Sequence, residues 1–248
     1  VRAWTSQAVH AGDVIETHLV ETEPSDGILP RPVPFSVVYE DDDILVVDKP
    51  ADTPIHPSIG NYENTLANGI AWYFEQKGEP FVYRCINRLD RDTTGLIVLA
   101  KHALSAAVLS QAMRSREIHR TYQAFALGET AASGTIDAPI ARLNGSLIQR
   151  TVDFASGERS VTHYRTLAHC SVFSHLELNL ETGRTHQIRV HMAYIGHPLL
   201  GDTLYNKTPG TFPRQALHSA SLSFVHPITG EPLNFHAPLP EDMQNLLT

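Results

Sequence analysis

The sequence is consistent with an α+β fold, rich in strands and sparing with helices. Short runs of β-branched and apolar residues recur between turn residues, as in Ser36-Val-Val-Tyr-Glu40, Ile44-Leu-Val-Val-Asp48 and Leu96-Ile-Val-Leu-Ala100. Residues 134–180 read as strands throughout. Helical signals are confined to stretches near 64–76, 103–113 and 184–195 and to a short closing segment.

At 248 residues, one main domain is expected, and 42% hydrophobic content suffices for its core. No apolar run reaches the ~18 residues of a membrane span, and nothing at the start reads as a signal peptide. Two cysteines, Cys85 and Cys170, make no disulfide framework and point to a reducing, cytoplasmic setting. The chain opens on Val1 rather than Met, so a preceding segment is expected.

The net charge of −8 argues at first against a nucleic-acid partner. Its distribution argues the other way. Residues 1–83 hold 4 Lys and Arg against 14 Asp and Glu, whereas residues 84–214 hold 15 against 10. Local potential, not total charge, governs attraction to phosphate.

Taken in order, Val9 to Glu16 reads as a turn and a short alternating strand, and Glu21 to Pro34, with its prolines and acidic residues, as a linker. The main domain opens with strands Ser36–Glu40 and Ile44–Asp48 around the turn Asp41-Asp-Asp43. The prolines of Lys49-Pro-Ala-Asp-Thr-Pro-Ile-His-Pro57 then stiffen a loop. A helix is expected to about Gln76, capped by Asn64 or Thr65. Ala103 to Met113 is expected to be an amphipathic helix with Leu104, Val108 and Ala112 inward. Arg114, Arg116, His119 and Arg120 close it, either as compensation of the helix dipole or as an RNA-facing patch.

Thr121–Leu127 reads as a strand, and Ser160–Leu167 and Val172–Leu180 as a paired set. A helix is expected from the Gly183 turn to Ile195, with Ile188, Met192 and Ile195 as its apolar stripe and Arg184, Gln187 and His191 on one flank. Arg189 lies roughly 100° from Ile188 on that wheel, so the two arginines should have different partners. Leu217–Phe224 is a further strand, followed by a closing turn and a short helix.

The densest chemistry lies in 84–101. Arg88, Asp90, Arg91, Asp92, Thr93, Thr94 and Gly95 set charge, hydroxyls and a permissive glycine before the buried strand Leu96–Ala100. A rigid strand carrying a polar loop is a common place for catalysis. On pattern alone, a charged turn between strands is an equal reading.

Asn87-Arg-Leu-Asp-Arg-Asp-Thr-Thr-Gly95 resembles the His-Arg-Leu-Asp-x-x-Thr-Ser-Gly signature of the RluA-type pseudouridine synthases. It departs at Asn87 and Thr94, which both keep hydrogen-bonding capacity. Lys49 to Pro57 resembles the family's first motif. Arg120-Thr-Tyr122 matches the context of its active-site tyrosine, and Glu181 to Met192, continuing as Gly196 to Asp202, is a nearly complete match. Leu217–Phe224 corresponds to its last strand. The resemblance covers about residues 36–240, through separate motifs in the right order.

The resemblance implies a synthase domain over 35–248 with a mixed, largely antiparallel central sheet. Residues 1–34 would be an arm and linker, or the end of an alpha-L RNA-binding module. The implied reaction converts uridine in structured RNA, ribosomal or transfer, to pseudouridine. No metal or redox cofactor is required. RNA is the partner, there is no membrane, and a monomer is expected.

Asp90 is then the catalytic residue, as nucleophile or as base, and Arg189 the arginine that holds it ionised. Tyr122 would stack on the base and help remove a proton, although a phenol near pKa ~10 is a poor base unassisted. A cross-strand core aromatic is the plainer reading of Tyr122. Leu217 would form a wall under the base. Arg88 and Arg184 are candidates for phosphate or flipped-base contacts, and Thr94, Gly95, His186 and Gln187 complete the substrate-binding set. Two alternatives stand beside this reading. One is an RNA-binding protein of the same fold without catalysis. The other is a metal hydrolase, prompted by 14 histidines of which His163, His169, His175, His186, His191 and His197 crowd one region, although no His-Glu-x-x-His occurs.

Overall fold

Among the described residues, a nine-stranded sheet organises the fold. The computed structural model describes residues 8–14, 25, 27–170 and 172–247. In chain order the elements are β1 (Ser36–Glu40), β2 (Ile44–Lys49), α1 (Leu66–Lys77), β3 (Thr94–Ala100), α2 (Ala103–Arg114), β4 (His119–Leu127), β5 (Ser133–Asp137), β6 (Ile140–Arg142), β7 (Arg150–Val152), β8 (Val161–His169), β9 (Phe173–Leu180), α3 (Gln187–Tyr194), β10 (Leu217–Val225), β11 (Pro232–His236) and α4 (Glu241–Gln244). The large sheet runs β1-β2-β3-β10-β4-β9-β8-β5, with β11 also on β10, while β6 and β7 form a separate hairpin. Every strand pair is antiparallel except β3 with β10, whose register joins Thr94 to His218 and Gly95 to Ser219. This is the expected α+β architecture with a mixed, largely antiparallel sheet.

The apolar runs of β2 and β3 are continuous because both faces of the sheet are covered there. Leu45, Val47, Ile97 and Leu99 point to a core shared with Leu66, Ile70 and Phe74 of α1 and Ile188 and Met192 of α3. Their neighbours Ile44, Val46, Leu96 and Val98 point to the opposite core, closed by Leu109 of α2. Thr65 caps α1, its hydroxyl accepting from the Asn68 amide, and Gly78 ends the helix in the left-handed region at φ 71°.

Three expectations are corrected. In α2, Leu104 and Val108 are exposed, and the buried side chains are Ser105 and Leu109, with Ala106, Ala112 and Met113 packed beside them. Apolar residues lie all round this helix, so periodicity did not fix its rotation; the sheet selected the 106/109/113 stripe. α3 begins at Gln187, leaving Arg184 in the preceding turn and off the wheel on which it was placed. β11 was not anticipated, yet Leu233 and Phe235 alternate onto the α2-side core. Within the stretch read as a linker, Leu29 accepts from the Asn68 side chain and Arg31 donates to the Asn68 carbonyl, which lays this part of the chain against α1. The short strand expected after the Ala11–Gly12 turn lies outside the described residues.

Candidate active site

The loop that carries Asp90 is stapled to its surroundings. Asn87 runs beside β3, donating its side-chain amide to the Leu96 carbonyl and accepting from the Val98 N–H at 2.9 Å. Both halves of the amide are in use, so Asn87 pins the start of the loop to β3. Below the loop, the fully buried Lys49 Nζ donates to the Pro50, Thr53 and Arg91 carbonyls at 2.7, 2.9 and 2.7 Å, tying together two loops. Arg214 donates to the Asp92 carbonyl, and Gln215 to the Thr93 hydroxyl. Gly95 then enters β3 at φ 110°, where any Cβ would run into the Ser219 backbone.

Helix α3 brings the counter-charge. Arg189 is buried and donates Nη1 to Asp90 Oδ2 at 2.9 Å. Its other edge is gripped by the buried Asp202, Nε to Oδ2 at 2.7 Å and Nη2 to Oδ1 at 2.9 Å. Burial works against the Arg189 charge, but Asp202 and Asp90 more than offset it, so the guanidinium is held firmly cationic. Asp202 is itself oriented by the Leu204 and Tyr205 amides. The Asp90 side chain, 23% exposed, stays open to the cleft.

Around Asp90 three adjacent strands converge. Tyr122 of β4 pairs across to Ser219 of β10 and Leu178 of β9, and Leu217 opens β10. Tyr122 is buried, and burial raises its phenol above the usual value while Arg120 works against that rise. Asp90, Tyr122, Leu217, Ile188 and Arg189 enclose a narrow recess of about 50 Å³. It opens beside a larger one of about 500 Å³, whose wall includes Arg88, Arg114, Arg116, Arg120 and Arg184. The basic cluster that closes α2 therefore faces the cleft. Among the described residues, Arg120 Nε is the buried side-chain nitrogen left without a partner. A more apolar hollow of about 290 Å³ against α1 shares no residue with either recess.

Asp90, Tyr122, Arg189, Arg88, Arg184, His186, Gln187 and Leu217 thus come together at one cleft. Arg88 is exposed and donates to the Thr185 hydroxyl at 2.6 Å; Arg184 pairs with Glu158 while Arg189 holds Asp90 and Asp202, so Arg184 and Arg189 do have different partners. Gln187 reaches the wall of the recess, but its amide is fully engaged with Thr182, the Arg184 N–H, the Val161 carbonyl and Thr162. Thr94 and Gly95 are corrected as substrate contacts. Both are buried in the β3–β10 junction, the Thr94 hydroxyl 2.8 Å from His218 Nδ1 and Gly95 against Ser219. Lys49, Asp202 and Tyr205 were not singled out from sequence, and Arg120 was named only in the basic cluster that closes α2 and as the neighbour of Tyr122. Asp202 stood inside a quoted motif, and Lys49 opened another.

The crowded histidines disperse: His163 meets Glu181, His169 meets Ser174, His175 meets Gln123, His191 meets Thr162, and His197 meets the Leu127 carbonyl. Among the described residues, one group has metal-ligand spacing, Asp41, Asp43 and His226. Its chemistry does not suit a cation. His226 Nδ1 accepts from the Ile228 and Thr229 amides, so Nε2 carries the proton and donates to Asp41 at 2.9 Å. Among the described residues, then, the crowded histidines form no metal-ligand group.

On this α+β fold, a carboxylate held by a buried arginine shares a recess with a tyrosine and adjoins a second, arginine-lined recess, a setting suited to an enzyme acting on an anionic polymer. The chain belongs to the RNA pseudouridylate synthase family, whose pattern matches residues 43–194. It is 43% identical over 237 residues to an uncharacterized RNA pseudouridine synthase, YjbO, of Bacillus subtilis, covering 95% of this chain and 83% of that one. It is 43% identical over 251 residues to ribosomal large subunit pseudouridine synthase D of Vibrio cholerae, covering 95% and 76%. The solved structure of human RNA pseudouridylate synthase domain containing 1 superimposes with a TM-score of 0.69 at 26% identity, over 88% of this chain and 86% of that one. The chain is an RNA pseudouridine synthase, an isomerase acting on uridine in RNA. No helix among the described residues is long and apolar enough to cross a membrane.

Proposed function

We propose that Asp90 is the catalytic carboxylate and that the substrate is a uridine of large-subunit ribosomal RNA. The observation that carries the first part is the 2.9 Å contact from Arg189, itself held by Asp202. It aims the Asp90 carboxylate while leaving it accessible from the cleft, as either covalent attack on the sugar or proton abstraction from it requires. In the reaction the C1′–N1 bond breaks, the uracil turns over, C1′ bonds to C5, and the C5 proton leaves. Tyr122 stacks on the base and, with Arg120 beside it, helps to take that proton. Leu217 is the wall beneath the base. Arg88 and Arg184 take phosphate or neighbouring bases, while His186 and Gln187 shape the pocket. Thr94 and Gly95 position the loop from behind.

The ribosomal target is favoured over transfer RNA by the relative named for the ribosomal large subunit, 43% identical over nearly the whole chain. The working unit is a cytoplasmic monomer, with residues 35–248 as the synthase domain and 1–34 as an arm and linker. The reading without catalysis is disfavoured because Asp90, Tyr122 and Arg189 are all retained and all meet at one recess.

Asp90→Asn keeps the size and removes the charge. Turnover should fall by roughly 10³-fold or more, while RNA binding persists through phosphate contacts. Substantial turnover by this variant would remove Asp90 from the chemistry. Mapping pseudouridines in ribosomal and transfer RNA with and without the gene tests the target.

A further inference from the structure

One hydroxyl joins the Asp90 site to hairpin β6–β7. The Tyr205 oxygen accepts the backbone N–H of Arg150, in β7, at 2.8 Å. An amide N–H can only donate, so the Tyr205 proton is free to point elsewhere. It lies 2.7 Å from His186 Nδ1, and no other acceptor for it is found among the described residues. Nδ1 therefore accepts, and the imidazole proton sits on Nε2. That atom faces Asp90 Oδ2 at 3.9 Å.

His186 is held tightly for this task. It takes the left-handed conformation at φ 57° immediately before α3. Its ring meets Tyr205 edge-on at 5.6 Å, and the Arg189 guanidinium lies over the same tyrosine at 5.2 Å. The hairpin has a second tie to this loop, from the Gln149 side chain to the Leu204 carbonyl at 3.2 Å. The charged groups facing His186 are Asp90 from the loop before β3, Arg189 from α3, Arg150 from β7 and Asp202 from the loop after α3. Burial disfavours the imidazolium, Arg189 and Arg150 oppose it further, and Asp90 and Asp202 pull the other way; the outcome is a lowered pKa.

We infer that Tyr205 is a positioning residue for the isomerisation, holding His186 neutral with Nε2–H toward Asp90 for as long as the β6–β7 hairpin is seated. This rests on the assignment of Asp90 as the catalytic carboxylate. A cationic His186 would draw that carboxylate toward itself and away from the sugar. Lifting β7 removes the Arg150 amide from Tyr205, which frees the hydroxyl to turn and Nδ1 to take a proton. The hairpin, whose tip exposes Leu147 and Ile148, is thereby coupled to the charge state beside Asp90.

The test compares wild type, Tyr205→Phe and Asp90→Asn on one transcript of large-subunit ribosomal RNA. In Tyr205→Phe the acid limb of kcat should move up by roughly half to one pH unit, the worth of one hydrogen bond to the imidazole, with KM unchanged. A purely structural tyrosine would lower activity without moving that limb. Nitrogen NMR of wild-type imidazoles should show His186 protonated on Nε2 alone at neutral pH. An Nδ1–H tautomer would overturn the inference whether or not Tyr205→Phe folds. An unmoved acid limb in folded Tyr205→Phe, with Asp90→Asn inactive, overturns this inference only. An active Asp90→Asn overturns the Asp90 assignment and this inference with it.

Discussion

Asp202 grips Arg189 at two points, Oδ2 on Nε and Oδ1 on Nη2, and that leaves Nη1 as the nitrogen that reaches Asp90. The aim of the cation is thus set by a residue that does not face the cleft, since Asp202 is fully buried. A two-point grip fixes the plane of a guanidinium in a way that a single contact cannot.

Asp202→Asn should break this arrangement. An asparagine turns an NH₂ toward one of the two Arg189 donors it must serve. Leaving one partner of a buried pair uncompensated typically costs about 3–5 kcal/mol, and a loss toward the lower end is expected because Asp90 still pairs with Arg189. Chemical denaturation should show that loss, and single-turnover rates should fall with RNA affinity unchanged. Wild-type single-turnover rates in a destabilised Asp202→Asn would confine the residue to a structural role.

Lys49 gives a pH-dependent prediction. Burial pulls its pKa down to about 7, against the opposing pull of Asp92 and Asp90. In the unfolded chain a lysine titrates near ~10.4. Between these values the unfolded chain binds this proton and the folded chain releases it, so stability from this group rises with pH. Relative to Lys49→Met, wild type should gain up to about 1.4 kcal/mol per pH unit above neutrality. Urea denaturation of both proteins at pH 6.5 and 8.5 measures the difference. A stability gap that stays constant across that range would mean that Lys49 keeps its proton.

These two residues mark where the sequence was and was not informative. The meeting of Asp90, Tyr122 and Arg189 was legible only through the family resemblance, since on pattern alone the Asp90 loop read equally as a charged turn and Tyr122 more readily as a core aromatic. Asp202 was quoted but given no role, because its partner is 13 residues away around α3 and the turn between them had to be known first. Lys49 looks like any surface lysine until burial is seen. Thr94 and Gly95 were placed at the substrate because they adjoin Asp90 in sequence, yet the chain enters β3 there and carries them inside. Strands were more legible than helix faces: β2, β3, β8 and β9 lie where alternation or burial put them, whereas α2 was rotated by a contact with the sheet that its own periodicity does not encode.

RNA affinity should depend steeply on salt in spite of the acidic pI of about 5.9. Arg88, Arg114, Arg116, Arg120 and Arg184 line one recess beside Asp90. If roughly three to five phosphates are neutralised there, affinity should fall about 20- to 500-fold between 50 and 200 mM monovalent salt. Filter-binding titrations across that range measure the slope. A flat response would mean that the recess does not contact the RNA backbone.

The last prediction concerns how the uridine is reached. Inside folded RNA its glycosidic bond is hidden, and turning the nucleotide out costs roughly a few kcal/mol of stacking and pairing. Something must occupy the gap. Arg88 is exposed, two residues from Asp90, and both line the larger recess, with the Arg88 guanidinium hung on the Thr185 hydroxyl at 2.6 Å. A planar cation so placed can stack on exposed neighbours and bind phosphate. Arg189 differs: it is buried and committed to Asp90 and Asp202. Arg184 differs again, being exposed and paired with Glu158. Arg88→Ala should therefore lower turnover on a folded stem-loop by roughly tenfold more than on an unstructured oligonucleotide of the same local sequence, since only the stem-loop must be opened. Arg189→Ala should damage both substrates alike, and Arg184→Ala should mainly weaken binding. Rates for each variant on the two substrates give the ratio directly. Equal ratios for Arg88→Ala and Arg189→Ala would rule out this division of labour while leaving the synthase assignment in place.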